Sequence, residues 1–364
     1  MVKRSLLIIL ALAFAGDLAY GEVNQSVELQ LFNSVLRNTE GDFIFTGIGS
    51  GNWELSSTGY RNVKAELSLS ALIGSPAPVF SIDRSFIKVR FPWFRLNAGK
   101  TRLSWGEGAF FNAGDILFGS TNIRNTDLTS EVLRDQSDWL LSLYVPLARF
   151  SFLEAVVLPP EANLNTPLDS TLFVNSSAAI RAMATVIGTE IEGGYRFNGN
   201  EDVHIPYIAA QGNLFVDWYA AASAQIPHGE SDYSIEDAWD STAISFGILH
   251  ILSIGYTSQL SLRFESLVSP GGYWEEQESL GAEYGIYLFP EASLSFGDAL
   301  SVQIRSIISP IDISALTSIG GYWNVYQDFS FLSFITVQSG EEQDIFGWNR
   351  YSDLSATLGM KFSY

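Results

Sequence analysis

Long stretches of the chain alternate apolar and polar side chains with a period of two. A β-strand with one apolar and one polar face produces such alternation, because its successive side chains point to opposite sides. From Asn62 onward, every second residue is apolar, namely Val63, Ala65, Leu67, Leu69 and Ala71. The pattern recurs in 81–91, 213–226, 256–266, 283–296 and 353–364. Each run is close to the length of about 9–11 residues that a tilted strand needs to cross a bilayer.

The connections between these runs are of two kinds. Tight turns are expected at 91–94, 146–149 and 297–298, and longer polar or acidic loops at 104–137, 160–176, 227–240, 267–279 and 339–352. Tight turns at one end and long loops at the other are typical of an all-β, transmembrane, antiparallel up-and-down β-barrel. We predict about 16 strands, within a range of roughly 14–18, and expect 227–240 and 339–352 to lie outside the cell. The segment 22–41 is compatible with a first strand or an N-terminal plug.

The composition supports a barrel and argues against a helical membrane protein. Charged residues make up only 16% of the chain and aromatic residues 13%, whereas soluble domains carry about 25% charged residues. The longest stretch without charges, 241–262, contains too many polar side chains for a lipid-spanning helix. A chain in lipid must satisfy its backbone hydrogen bonds internally, as helices or as a closed barrel. We therefore expect one barrel domain over residues 22–364.

The N-terminal residues have the layout of a secretory signal peptide. Lys3 and Arg4 precede an apolar run over 6–15, and Ala19 to Gly21 form a small-residue cleavage site. We expect residues 1–21 to be removed on export, with an uncleaved anchor as the alternative. The formal net charge of −20 makes nucleic acid an implausible partner, and the absence of cysteine excludes disulfides.

The final segment resembles the C-terminal signal of bacterial outer-membrane barrel proteins. The positions that match are a polar residue, a glycine, an apolar residue and a terminal aromatic residue, here Thr357, Gly359, Phe362 and Tyr364. The resemblance implies that the outer-membrane assembly machinery reads the last strand, which then pairs with the first strand to close the barrel. It also implies an integral protein of the bacterial outer membrane that is surrounded by outer-membrane lipid.

A second stretch, AGKTRLSWGEGAFFNAGD at residues 98–115, resembles porin-like outer-membrane families. Those families often carry a glycine followed by two spaced basic residues, a Trp-Gly-x-Gly segment and a Phe-Asn-x-x-Asp segment. The resemblance implies a transport barrel and does not name a solute.

The residues that best indicate chemistry lie in and around the hairpin turn at 91–94. Six basic residues fall within 84–102, namely Arg84, Lys88, Arg90, Arg95, Lys100 and Arg102. Alternation directs the first four into the lumen, and a bulge at Gly99 would direct the last two there as well. On the lipid face each such residue would cost about 2–4 kcal/mol. We therefore predict a basic ladder on the lumen wall.

The long loop that follows is acidic, with Glu107, Asp115, Asp127, Glu131, Asp135 and Asp138. Folded into the barrel, it would narrow the pore and set negative charge opposite the ladder, an arrangement similar to the constriction of general porins. The predicted function is passive diffusion of small hydrophilic solutes, with Glu107 and Asp115 among the pore-lining residues. Because loop charges are screened over about 8 Å, the ladder would produce weak anion preference or near neutrality.

Other interpretations stay open at this point. The charges could balance without selectivity, or the loop could seal the lumen of a structural or adhesive surface barrel. A substrate-specific transporter with periplasmic partners is a further alternative, and both a monomer and a homo-oligomer are compatible with the sequence.

Acidic clusters, one histidine–serine pair and the aromatic residues near strand ends are weaker candidates for a function. Acidic clusters within 230–240, 275–278 and 341–344 could bind Ca²⁺, but their spacing matches no defined metal site. His250 and Ser253 lack an evident third partner for hydrolysis, so we expect no enzyme activity and no cofactor. Aromatic residues near strand ends are expected to form a girdle at the membrane interface, namely Trp93, Trp139, Trp274, Trp323 and Tyr364.

Overall fold

The computed structural model describes most of the chain outside its N-terminal segment and parts of several loops. The described residues are 23–38, 40–57, 62–74, 78–119, 127–130, 133–134, 136–148, 150–160, 175–229, 233–271, 285–341, 344–347 and 353–364. The predicted signal peptide over 1–21 lies outside them. Within these ranges, no helix is long and apolar enough to cross a membrane.

The strands follow one another along the chain with few interruptions. They are β1 (Val23–Arg37), β2 (Phe43–Ser57), β3 (Val63–Ile73), β4 (Val79–Arg90), β5 (Arg95–Thr101), β6 (Asp138–Ala148), β7 (Ser151–Leu158), β8 (Ser177–Val186), β9 (Thr189–Asn198), β10 (Val203–Asn213), β11 (Asp217–Ala224), β12 (Ile226–Pro227), β13 (Thr242–Ile254), β14 (Ser258–Ser269), β15 (Gly285–Phe296), β16 (Leu300–Ser309), β17 (Ser314–Tyr326), β18 (Phe329–Ser339) and β19 (Leu354–Ser363). A short helix, α1 (Ile235–Asp240), lies between β12 and β13.

The strands form one antiparallel sheet that closes on itself. Each long strand pairs with its neighbours in sequence, and β1 pairs with both β2 and β19. The predicted barrel is therefore confirmed, with 18 long strands and the two-residue β12, which pairs with the start of β10. The segment 23–37 is the first strand rather than a plug. The count lies within the expected range of roughly 14–18 and slightly above the preferred 16. Weakly alternating strands, such as β2 with glycine at 47, 49 and 51, are the hardest to count from the sequence.

The two ends of the barrel differ as the sequence predicts. One end, called the turn end below, has only short connections, namely 58–62, 91–94, 149–150, 187–188, 214–216, 255–257, 297–299 and 327–328. The opposite end, the loop end, carries the long connections 102–137, 159–176, 225–241, 270–284 and 340–353. At the turn end, Gln327 and Asp328 both have positive φ angles. This is the conformation that a two-residue hairpin requires to match strand twist.

The outward face of the barrel is apolar and exposed, the reverse of a water-soluble protein. In β6, Leu141 is 47% exposed while the inward-facing Ser142 beside it is 3% exposed. In β16, Val302 and Ile304 are exposed while Arg305 is buried. A closed sheet with this orientation is solvated by lipid hydrocarbon on the outside, so the barrel spans a membrane. Exposed aromatic residues at strand ends, among them Trp93, Trp139, Trp323 and Tyr364, fit the expected interface girdle.

The seam between β1 and β19 is held along its whole length. Register runs from Arg37 opposite Leu354 to Glu28 opposite Ser363, and the backbone N–H groups of Val27 and Tyr364 each donate to the other residue's carbonyl at 2.8 Å. Inside the lumen, Lys361 Nζ lies 3.0 Å from Glu28 Oε2. The four residues of the C-terminal motif therefore lie on the strand that closes the barrel.

Gly359 of this motif is required by packing across the seam. A Cβ atom built on Gly359 would lie 2.7 Å from Cδ1 of Phe32 and would also collide with Cδ1 of Leu332. The rings and methyl groups of the two neighbouring strands thus cover the glycine backbone from both sides. Thr357, two residues earlier, hydrogen-bonds through its hydroxyl to the Ser34 hydroxyl at 2.9 Å.

Deleting residues 362–364 is expected to prevent membrane insertion. The deletion removes pairing to both β1 and β18 and leaves strand edges with unsatisfied backbone groups, which lipid does not tolerate. The truncated protein should accumulate in the periplasm or be degraded, as judged by fractionation and by loss of heat-modifiable electrophoretic mobility. Tyr364→Phe, which keeps the ring and the strand, should insert normally. Normal insertion of the truncated protein would contradict a role of these residues in closure.

Candidate functional site in the barrel lumen

The connection between β5 and β6, residues 102–137, is called the inward loop here, and its described residues lie inside the lumen. Its Trp105, Phe110 and Phe111 are completely buried. Its Trp105, Ala113, Ile116 and Leu117 pack on β6–β11, against Leu140, Val156, Leu158, Ala179, Ile205, Tyr207, Ala209 and Ala221. Its Phe110, Phe111 and Leu128 pack on β14–β17, against Leu267, Tyr287, Phe289, Ile307 and Leu316. The Phe110 ring stacks on that of Phe289 with their centroids 4.2 Å apart. Each such aromatic side chain contributes about 1.5–3 kcal/mol by burial.

A buried carboxylate on the wall binds the backbone of the inward loop. Glu265 of β14 is 1% exposed. Its oxygens accept the backbone N–H groups of Ala109 at 3.0 Å, Phe110 at 2.9 Å and Phe111 at 2.7 Å. The three N–H donors offset the cost of burying the charge of this carboxylate. The carboxylate in turn supplies acceptors to a tight loop segment that has no secondary structure. Glu265 therefore positions the tip of the inward loop.

Arginines of the wall bind the carbonyl groups of the same loop. Arg196 of β9 donates to the carbonyls of Ile116 at 2.7 Å and Leu117 at 2.8 Å. Arg305 of β16 donates to the carbonyl of Ser130 at 2.7 Å and, on its other side, to Glu291 Oε2 at 2.7 Å. The wall thus supplies acceptors for the loop's N–H groups and donors for its carbonyls, so the loop is held in place at several points.

The start of the inward loop rests on a charged cluster of β7–β9. Arg181 lies between the rings of Trp105 and Phe152, 5.2 and 4.9 Å from their centroids. Its guanidinium is 2.8 Å from Glu154 Oε2 and 2.9 Å from Glu192 Oε2. Glu192 in turn accepts the backbone N–H of Gly106 at 3.0 Å. This cluster fixes the point at which the chain turns into the lumen.

Asp115 was expected among the pore-lining residues, but its side chain is buried inside the inward loop. It is 2% exposed and forms an ion pair with Arg134 of the same loop, which also donates to the carbonyl of Gly108 at 2.9 Å. Burial raises the pKa of Asp115 to about 6, and the Arg134 guanidinium opposes that rise. At neutral pH the carboxyl stays mostly ionised, so this internal ion pair ties the two halves of the loop together.

Glu107 does reach open space. It borders a cavity of about 620 Å³ toward the turn end, together with Glu190, Asp217 and Arg263. Burial is the main cause that raises the pKa of Glu107, and the nearby Glu192 and Glu190 carboxylates add to the rise. The residue is therefore part of an acidic region on the β9–β11 side of the lumen.

Of the six predicted ladder residues, five lie on the inner wall. Arg84, Lys88 and Arg102 border a cavity of about 400 Å³ near the inward loop. Arg90 and Arg95 are register partners, on the same face as the pair of Lys88 and Asn97. The guanidinium of Arg95 lies 4.9 Å from the centre of the Tyr144 ring.

Lys100 is the exception, and the expected bulge at Gly99 is absent. Pairing continues without a shift from Gly99 opposite Phe86 to Lys100 opposite Ser85, and Trp139 is the other partner of Lys100. Lys100 therefore points outward near the loop end, where its Nζ donates to the carbonyl of Ile82 at 2.7 Å. Gly99 has a φ of +127°, which lets its backbone approach β4 closely in place of a bulge.

A bulge does occur one strand pair away. The register between β3 and β4 shifts between Ser68 and Leu69, opposite Asp83. Strand alternation cannot reveal this shift, because Asp83 and Arg84 are adjacent polar residues. Because of this shift, the hydroxyls of Ser70 and Ser81 both donate to Asp83 Oδ1, each at 2.9 Å.

Two charged residues of β3 lie beside the basic ladder on the lumen wall. Lys64 and Glu66 border the same cavity as Arg84 and Lys88. Glu66 Oε2 lies 2.8 Å from Lys64 Nζ, and its Oε1 lies 3.5 Å from Arg84. Alternation in β3 places both residues opposite the apolar face, so the sequence contains this signal, although the predicted ladder starts only at Arg84.

The open part of the lumen lies along β1–β5. The inward side chains of β6–β17 that meet the loop are buried, whereas those of β1 and β2, such as Phe32, Ser50 and Asn52, are half-exposed and Ile48 is exposed. The described residues of the inward loop thus fill one side of the barrel. On the other side, called the open side here, the inward side chains of β1, β2 and β4 are half-exposed or exposed, while Glu66 of β3 and Asn97 of β5 are buried. That open side carries the five inward ladder residues and Lys64, with Glu28, Glu54, Glu66 and Asp83 as the acidic residues among them.

The weaker candidates remain without support. Within the described ranges, no group of three or more His, Cys, Asp or Glu residues is arranged to hold a metal ion. Asp237 caps α1 by accepting the Ser234 backbone N–H at 2.8 Å, while 230–232, 275–278 and 342–343 lie outside the described residues. His250 and Ser253 are three apart on β13, so they face opposite sides of the strand.

Comparisons with known proteins identify the fold. No family model matches the chain, and no curated protein matches it. Solved structures do match over 94% of its length: Acinetobacter baumannii OccAB3, with a TM-score of 0.58, 7% identity and 99% of that chain covered; A. baumannii OccAB4, with 0.57, 9% and 98%; and the outer membrane protein opdK from Pseudomonas aeruginosa, with 0.55, 8% and 99%. The identities are low, so these similarities establish the barrel fold alone.

Replacing Glu265 with Ala is expected to loosen the inward loop. Three buried N–H groups would lose their acceptor, at a cost of about 1–3 kcal/mol for each group left unsatisfied. The variant should unfold at a lower temperature in detergent and should be cut by trypsin within 102–137. Glu265→Gln, which keeps one carbonyl oxygen, should lie in between, and Glu236→Ala on the exposed helix α1 should match the parent. Unchanged melting and unchanged protection of the loop would show that Glu265 does not hold it.

Proposed function

We propose that this protein is an integral channel of the bacterial outer membrane through which small hydrophilic solutes pass by diffusion. The observation that carries the proposal is the division of the lumen. The described residues of the inward loop pack on β6–β17, while inward side chains of β1, β2 and β4, such as Asn52, Lys88 and Arg90, are half-exposed or exposed. A polar passage along one wall, narrowed by a fixed loop, is the arrangement expected of a diffusion channel.

The outer-membrane location is supported by the barrel itself. Its apolar outer face calls for a lipid surround, and β19 carries the assembly motif on the strand that closes the sheet. The proposal therefore includes the outer-membrane assembly machinery and outer-membrane lipid as partners. The loop end then faces the outside of the cell, because the short turns of such barrels lie on the periplasmic side.

Selectivity in this channel follows from charges on the open side. The basic residues there outnumber the acidic ones. The excess of positive charge is slight, because Glu66 balances part of the charge of Lys64 and Arg84. Charges in a narrow lumen are screened less than those in the external loops, so the wall outweighs the net charge of the chain. We expect weak anion preference or near neutrality.

Purified protein is expected to conduct ions in planar lipid bilayers. Discrete conductance steps should appear because, among the described residues, the apolar clusters that pack on the inward loop include none of β1–β5. Reconstituted protein that is folded, as shown by heat-modifiable mobility, yet silent in repeated trials would favour a sealed structural or adhesive barrel.

Replacing Lys88, Arg90 and Arg95 together with Gln is expected to shift the reversal potential in a salt gradient toward cations. These side chains face the lumen, so the variant should fold normally while its positive wall potential falls. Lys100→Gln is the matched control: it removes the same kind of charge from the outward face of the same hairpin and should leave the reversal potential unchanged. A folded triple variant with the parent's reversal potential would show that these residues do not face the conducting path.

A further inference from the structure

Two of the chain's three histidines meet at the loop end of the barrel, outside the lumen. His204 lies at the start of β10, on the face opposite the buried Ile205 and Tyr207. His228 follows β12 directly and is exposed. Nε2 of His204 and Nδ1 of His228 are 2.8 Å apart. The pair takes no part in the inward loop or in the open side of the lumen.

The backbone on both sides holds this pair in place. His204 is paired with Phe197 of β9 and with Ile226 of β12. The N–H of His228 donates to the carbonyl of Asp202 at 2.8 Å. The two-residue β12 thus returns the chain to β10 and presents the second imidazole to the first. This placement of the two histidines is the structural consequence of the short strand β12.

The remaining ring nitrogen of His204 also has a partner. The Tyr195 hydroxyl hydrogen-bonds to His204 Nδ1. The Phe197 ring covers both imidazoles, with centroid distances of 5.3 Å to His204 and 6.0 Å to His228. A hydroxyl that can accept as well as donate is the kind of outer partner that fixes the orientation of a metal-bound histidine.

We propose that His204 and His228 form a binding site for a divalent transition-metal ion of the Zn²⁺ class. Imidazole nitrogen is a preferred ligand of such ions, at about 2.0–2.1 Å, and two ligands at a tetrahedral angle lie about 3.3 Å apart. The two nitrogens therefore need to separate by about half an ångström from their present 2.8 Å, and the rings need to turn so that both lone pairs converge on the ion. Water or external anions complete the coordination on the side of His228, which is exposed in the connection that follows β12 at the loop end.

Metal binding leaves the proton balance of the neutral pair unchanged. The ion takes the lone pairs of His204 Nε2 and His228 Nδ1, and the hydrogen-bonding proton between them is displaced. That proton is regained on His204 Nδ1, which then donates to the Tyr195 oxygen, while the hydroxyl of Tyr195 turns its own hydrogen away. His228 keeps its proton on Nε2. Tyr195 is thus a positioning residue.

The site is tested by titrating the purified full-length protein with Zn²⁺ in detergent, followed calorimetrically. The parent should show one site that His204→Gln and His228→Gln each weaken by about tenfold or more, and that Tyr195→Phe weakens less at unchanged stoichiometry. His250→Gln, which removes the third histidine on β13, is the matched control and should bind like the parent. Zinc X-ray absorption should show two nitrogen ligands in the parent.

Binding by the acidic loops is separated from this site by the double variant of His204 and His228, which retains every carboxylate. An isotherm of the double variant equal to that of the parent, or an absorption spectrum with oxygen ligands only, would overturn the proposal. If His204→Gln does not insert, His228→Gln decides alone, since that exposed side chain lies outside the long strands. The outcome is independent of channel conductance, so the metal site and the proposed function fail or hold separately.

Discussion

Every backbone N–H and C=O group within a bilayer must find its partner in the protein, and the structure depends on this constraint. An open sheet would leave two strand edges unsatisfied in hydrocarbon. Here β19 closes the sheet against β1, and the hydrogen bonds between Val27 and Tyr364 extend the seam to its limit. Because closure is obligatory, the packing around Gly359 and the polar pair of Ser34 and Thr357 contribute to register rather than to a core.

Inside the closed barrel, the irregular backbone of the inward loop also needs hydrogen-bonding partners. Buried charged side chains of the wall provide them. Glu265 accepts three N–H groups, while Arg196 and Arg305 bind carbonyls. Buried charges of this kind are costly unless each is fully partnered, so loop and wall depend on one another. The apolar residues of the inner wall have the same origin: they face the loop rather than water.

The packed side and the open side of the lumen then differ in their chemistry. Charges on the packed side pair with one another or with the loop: Arg181 pairs with Glu154 and Glu192, and Glu192 also accepts the N–H of Gly106. Charges on the open side, such as Lys88 and Arg90, face the passage. The same residue types therefore serve structure on one wall and solute interaction on the other, and their position relative to the inward loop decides which.

The sequence by itself determined the features that depend on local period. Alternation placed Lys88 and Arg90 inward and predicted which connections are short, because a strand's side-chain period of two is written in consecutive residues. Uninterrupted alternation also places Lys100 outward, and the expectation that it points inward depended on a bulge at Gly99. The sequence could not decide this, since such a glycine is compatible with either a bulge or a close approach between strands. Asp115, Glu265 and the histidine pair were decided by the tertiary structure alone. Their partners are distant in sequence or set by the return of a short strand, and no local pattern records which distant groups a closed barrel brings together.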